Sequence, residues 1–192
     1  MSNQQVSSKL NYNYGIILGV LLSLFTAYSY AIDNSLYFSY LALGLLLLSV
    51  PVLGLIAILS AKKKKEGFIS FKEAMKNYTI TIALGLFIST ITSILIFNVV
   101  DTNFYKTVQQ IQIEGMEKQK ANTLQRMYNN NTPETTIENT EKRFDDGIEK
   151  MQTTNQYELT TQIINFIKSV GAYLIFGLIL SLIFRRTNPA AR

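Results

Sequence analysis

Apolar residues along the chain fall into four uninterrupted blocks separated by polar segments. The first runs Tyr14–Ile32, the second Leu36–Ala61 and the third Tyr78–Val100, all without a charged residue. The fourth runs Ile163–Phe184 and carries one charge, Lys168, near its start. A helix needs about 20 apolar residues to cross a hydrocarbon layer of about 30 Å. Within that layer every backbone N–H and C=O must find a partner inside its own segment, so each block is expected to be a transmembrane helix. Four such blocks in 192 residues set aside buried helices of a water-soluble domain. Ser29-Tyr30-Ala31 has the small-x-small form of a signal-peptide cleavage site. The stretch before it is long for a signal peptide, so the first block is expected to be retained.

The polar segments complete the expected architecture: an all-α polytopic membrane protein, four helices in an antiparallel bundle, with an extramembrane helical hairpin between helices three and four. Residues 1–100 hold an N-tail, three helices and a Lys-rich loop. Residues 101–162 form the hairpin, and 163–192 hold the last helix and a basic tail. In the hairpin one helical stripe reads Phe104, Val108, Ile111, Met116, Leu124 and Met127, interrupted by Gly115. Asn129-Asn130-Asn131-Thr132-Pro133 breaks it, with Thr132 the expected N-cap and Pro133 the first residue of the next helix. A second stripe reads Ile137, Phe144, Ile148 and Met151. The hairpin helices are open to two readings, separate from helices three and four or continuous with them.

Charge supplies an orientation. Lys9, Lys62, Lys63, Lys64, Lys65, Lys72, Lys76, Arg185, Arg186 and Arg192 all fall on one face of a four-span topology, opposed there only by Glu66 and Glu73. The other face holds Asp33 and a hairpin in which acids outnumber Lys and Arg. Positive residues collect on the cytoplasmic side, so both termini are expected inside and the hairpin outside. Lys62–Lys65 and Arg185–Arg186 read as a topology lock or as a site for anionic lipid. Tyr12 and Tyr14 at the inner entry, and Tyr28, Tyr30, Tyr37, Phe38, Tyr40, Phe97, Phe104 and Tyr105 at the outer end, suit interfacial depths.

Small residues mark helix contacts. Gly15-x-x-x-Gly19 lies on helix one, Thr81, Gly85, Ser89 and Ser93 recur every four residues on helix three, and Gly177-x-x-x-Ser181 lies on helix four. Such stripes let backbones approach. They serve packing within one bundle, contact with a second copy or another membrane protein, or a polar pore. Pro51 sits inside helix two, where it acts as a hinge or as a proline whose freed carbonyl a neighbour satisfies. Ser70 and Glu73 have capping-box spacing ahead of helix three. There Phe68, Phe71 and Met75 are expected to face acyl chains while Lys72 and Lys76 snorkel.

Candidate chemistry is thin. With no His and no Cys, imidazole bases, thiolate nucleophiles and zinc sites of those ligands are excluded. Glu138, Glu141, Asp145, Asp146 and Glu149 lack calcium-loop spacing and are interleaved with Lys142, Arg143 and Lys150, as on a solvated face. We expect no cofactor, no metal, no nucleic acid and no enzymatic activity. The expected role is a structural, interaction or accessory subunit; an oligomeric channel or small-solute transporter is the alternative, motivated by the Thr81–Ser93 stripe with Asn98.

The tight first hairpin, the lysine corner followed by Gly67-Phe68-Ile69-Ser70-Phe71-Lys72-Glu73-Ala74, and a last helix ending Gly177-Leu-Ile-Leu-Ser181-Leu-Ile-Phe184-Arg185-Arg186 together carry a resemblance. The chain resembles the four-helix integral membrane proteins of Bacteroidota-type bacteria catalogued as a domain of unknown function (family number 4199). That resemblance implies an inner-membrane location and transfers no catalytic residue.

Overall fold

A computed structural model describes residues 3–186, with side chains from Tyr12 onward. The side chain of Lys9, and Arg192, both part of the charge argument, lie outside this set. The described residues form six α-helices: α1 (Asn3–Ala31), α2 (Tyr40–Lys64), α3 (Phe71–Leu95), α4 (Phe104–Asn129), α5 (Glu134–Thr153) and α6 (Leu159–Phe184). A 3-10 turn (Asn34–Phe38) joins α1 to α2, and a π-turn (Ile96–Val100) ends α3. Four segments are long and apolar enough to cross a membrane: Tyr12–Ala31, Tyr40–Lys64, Phe71–Val100 and Leu159–Phe184. Their outward faces are bare hydrocarbon; Leu41 is 74% and Ile183 65% exposed. The protein is a four-span all-α membrane bundle.

α3 is the hub and packs against α1, α2 and α6, with α2 also touching α1 and α6. The tightest pair is α1 with α3, which run parallel, rather than the hairpin neighbours α1 and α2. Its register is regular. Gly15 faces Leu84, Gly19 faces Ile88, and Ser23 hydrogen-bonds Thr92 at 2.8 Å across an offset of 69 residues. In return Leu18, fully buried, fills the notch left by Gly85. A Cβ on Gly19 would stand 2.6 Å from the Cβ of Ile88. Glycine therefore lets the backbones meet, and dispersion holds them where lipid offers no hydrophobic drive between helices.

Both ends of the bundle are defined by contacts. Tyr14 hydrogen-bonds Ser60 at 2.8 Å, which places the start of the first membrane span beside the last turns of α2. Ile69 and Arg186 exchange two backbone hydrogen bonds of 2.9 Å, an isolated antiparallel bridge tying the Lys-rich loop to the chain after α6. At the opposite end α4 pairs with α5 and rests on the α1–α2 turn. Lys120 bridges Asp145 at 2.7 Å and Glu141 at 2.9 Å, and the Gln109 amide donates to the Met151 carbonyl.

One open reading is decided, and two local expectations need correction. The hairpin is not continuous with the spans: Asp101 leaves helical geometry, and its carboxylate accepts from the Asn103 and Phe104 N–H groups at 3.1 Å, starting α4 afresh. Helix α5 begins at Glu134 with Pro133 as its N-cap, and Thr132 makes no capping bond. The Thr132 N–H instead closes the end of α4 on the Met127 carbonyl at 3.0 Å. Gly115 does not interrupt a stripe; it is a contact point, since a Cβ there would stand 2.3 Å from the ring of Phe38.

Candidate functional site

At the end of α3 the Asp101 N–H reaches back five residues to the Ile96 carbonyl at 2.9 Å. That widened turn directs Phe97 and Asn98 toward the start of α6; such turns are frequent at functional sites. Phe97 stacks on Tyr157 with centroids 3.8 Å apart and on Phe104 at 5.3 Å. Tyr30 and Tyr37 meet Phe104 edge-on at 4.7 and 6.0 Å. Part of the aromatic set that the sequence suggested as lipid anchors is thus turned inward, while Tyr28 and Tyr40 remain exposed. The Tyr157 carbonyl accepts from Asn98 at 2.9 Å and from Gln162 at 2.7 Å, locking the entry of α6. Burial pushes the Tyr157 phenol up to about 12. Burial, with Tyr157 as neighbour, raises Tyr37 well above the ordinary tyrosine value.

Beneath this aromatic cluster lies a cavity of about 370 Å³. Ser89, Thr90 and Ser93 come from α3, and Gln162, Asn165 and Ser169 from α6. Thr26 and Phe25 come from α1, Leu43 and Leu46 from α2, and Gln112 and Gln156 from the extramembrane side. None of the lining residues is charged. Thr26 and Gln162 are hydrogen-bonded within the protein. Ser89, Thr90, Ser93, Asn165 and Ser169 make no side-chain hydrogen bond among the described residues. The lining residues, all uncharged, offer hydrogen-bond donors and acceptors.

The inner half of the bundle is closed. The ring of Tyr78, fully buried, lies between Gly54 of α2 and Gly177 of α6; a Cβ on either would stand 2.3 or 2.5 Å from it. Ser181 rests on the sulfur of Met75 at 3.9 Å. Met75 therefore faces α6, not the acyl chains, because α3 has turned that face toward its neighbour.

The lysine corner is heterogeneous. Lys62 donates to the Phe184 carbonyl at 3.0 Å, capping the negative end of α6. Lys65 pairs with Glu73. Lys63 and Lys64 are exposed and unpaired among the described residues. Arg186 places its guanidinium 5.4 Å from the centroid of Phe68. The Gly67–Ala74 motif is a structural seam throughout. Gly67 has φ of +90°, following Glu66 at +54°. Ile69 and Ala74 are buried, and Ser70 and Glu73 form the expected capping box.

The small-residue stripes therefore divide. Gly15, Gly19 and Gly85 build the α1–α3 contact, Thr81 is buried, Gly177 receives Tyr78 and Ser181 meets Met75. Only Ser89 and Ser93 reach the cavity. The division follows from geometry: at about 100° per residue, a four-residue repeat advances about 40° at each step. Asn98, five residues after Ser93, lies outside the four-residue repeat and donates to the Tyr157 carbonyl rather than lining the cavity. Sequence reasoning missed Gly54, Gly115, Tyr173 and the α6 wall. The spacing of Gln162, Asn165 and Ser169, a polar stripe inside an apolar helix, was the available signal.

No curated protein and no solved structure matches the chain. The family model described as a protein of unknown function, DUF4199, matches residues 13–186, spanning all four membrane helices and the hairpin, and the chain belongs to that family.

Proposed function

We propose that this chain is a non-enzymatic multi-pass protein of the bacterial inner membrane and acts as an interaction or accessory subunit through its periplasmic hairpin. The observation that carries this is the docking of α4–α5. Gly115 seats Phe38, and Tyr40 donates to Gln119 at 2.6 Å, so the hairpin is a fixed platform on the bundle. Its charged residues, among them Glu138, Lys142, Arg143, Asp146 and Glu149, are available at the surface. Preorganisation of this kind lowers the ordering cost of binding another protein or a second copy of this chain.

The orientation rests on charge. Lys62–Lys65, Lys72, Lys76, Arg185 and Arg186 gather at one end of the bundle, which we place in the cytoplasm. There Lys63 and Lys64 offer unpaired ammonium groups to anionic lipid. Because the chain has no Cys, single-cysteine labelling is clean. Lys64→Cys is expected to be shielded from a membrane-impermeant maleimide in intact cells and Asn139→Cys to react. Reaction of both would reject the orientation. Crosslinking from Asn139 under native expression is expected to capture a discrete partner or second copy; a chain that remains alone would reject the subunit role.

The cavity favours a second reading, an oligomeric channel or small-solute transporter. It predicts solute flux in proteoliposomes that Ser89→Leu abolishes, and absence of flux in the unaltered protein removes it.

A further inference from the structure

We propose that the cavity beneath the aromatic cluster binds a neutral polyhydroxylated group about the size of glycerol or one sugar ring, carried by a free solute or by an uncharged lipid. This goes beyond the subunit reading and stands without it, because it rests on different residues.

The first argument is hydrogen-bond accounting. Ser89, Thr90 and Ser93 on α3 face Asn165 and Ser169 on α6, and none of these side chains has a partner among the described residues. They belong to helices that cross the hydrocarbon layer. A polar group left unpaired there is costly, so the cavity is suited to water or to a molecule that both donates and accepts. Hydroxyls and amides do both, and a polyol matches them group for group.

The second argument is charge. No Lys, Arg, Asp or Glu lines the cavity, so a phosphate, carboxylate or ammonium group entering it would be desolvated without a counter-charge. A neutral ligand meets no such penalty. The third is shape. The volume of about 370 Å³ lies toward the lower end of small-ligand pockets. Leu43, Leu46 and Phe166 complete the lining with apolar surface suited to C–H faces. Tyr173 donates to the Leu47 carbonyl at 3.3 Å, joining α6 to α2 on the inner side of the cavity. The exposed side chains of Asn165 and Gln156 lie on its outer side.

The test uses the full chain, purified in a detergent without a sugar headgroup and placed in zwitterionic nanodiscs. One arm adds monoglycosyl diacylglycerol, or phosphatidylglycerol as a comparator that carries a glycerol group plus a charge. Lipid retained after delipidation is read by native mass spectrometry. The other arm adds free glucose or glycerol, with binding read by saturation-transfer NMR. The expected result is neutral-ligand binding in at least one arm, which identifies the source. Glycolipid, where it is the source, is retained at least about tenfold over phosphatidylglycerol. Ser89→Leu, which fills the space, and the smaller double change Ser89→Ala/Ser93→Ala are each expected to weaken binding about tenfold, the loss of one or two hydrogen bonds. An unchanged melting temperature in the alanine variant separates this effect from misfolding. Retention of phosphatidylglycerol equal to that of a retained glycolipid, no neutral-ligand binding in either arm, or unaltered binding by a folded alanine variant would overturn the proposal.

Discussion

The Tyr173 hydroxyl donates to the Leu47 carbonyl at 3.3 Å, and Leu47 is the residue whose carbonyl Pro51, four positions later, cannot satisfy. Helix α2 runs unbroken through the proline from Tyr40 to Lys64. Of the two roles open to Pro51 in the sequence, the structure shows the one in which a neighbour supplies the missing donor. The same bond couples α2 to α6.

That coupling predicts a non-additive pair. Tyr173→Phe alone is expected to cost about 0.5–1.5 kcal/mol, since it leaves a carbonyl unpaired within the membrane. In a Pro51→Ala background the restored N–H serves Leu47, so the same change should cost less. Thermal unfolding in detergent for the four proteins of the cycle measures this; full additivity would mean the two sites are independent.

The glycine notches predict steric sensitivity on two sides of α3. Gly19→Val should drive Ile88 away, and Gly177→Ala should displace the Tyr78 ring, each costing about 1–3 kcal/mol. Tyr78→Leu, which removes the ring facing Gly177, should make the Gly177→Ala penalty smaller in the double variant than in the single one. Melting temperatures of singles and double report the difference.

The lysines predict a division of labour. Lys62→Met should destabilise the bundle by about 0.3–1 kcal/mol through the lost helix-end interaction. Lys63→Gln/Lys64→Gln should leave unfolding unchanged within about 0.5 kcal/mol. The same pair should reduce co-purified anionic lipid, measured by lipid mass spectrometry, whereas equal lipid content would assign no lipid contact to them.

Tyr157 predicts an alkaline limit. Its phenol ionises near 10 in an unfolded chain and at about 12 in the fold, because burial disfavours the charged form. Between those values the folded state holds a proton the unfolded state has lost. The stabilisation is therefore complete below the unfolded value and is lost as pH rises through the folded one. The ultraviolet tyrosinate band should show a late component that shrinks by one tyrosine in Tyr157→Phe, with Tyr37, also raised by burial, supplying part of what remains.

Much of this architecture is legible one segment at a time. Span number, the tight first turn, the capping box at Ser70–Glu73 and the basic end formed by Lys62–Lys65 and Arg185–Arg186 follow from local properties. These are transfer free energy per residue, helix-end hydrogen bonding and charge near a membrane edge. The partners of each surface are not local. Gly15 and Gly19 announce a close contact but not that a parallel α3 fills it at an offset of 69 residues. Thr81, Gly85, Ser89 and Ser93 look like one face in the sequence, yet the helix turns them progressively. Thr81 and Gly85 enter the core while Ser89 and Ser93 enter the cavity. The cavity itself exists because α1, α2, α3 and α6 leave space between their outer halves, and Tyr173 finds Leu47 because α6 crosses α2 at that depth. The chain by itself determined which segments lie in lipid and which end is basic, since each residue's transfer cost is paid independently. Only the tertiary structure decided which small and polar residues meet, because that depends on how helices rotate about their axes when they pack.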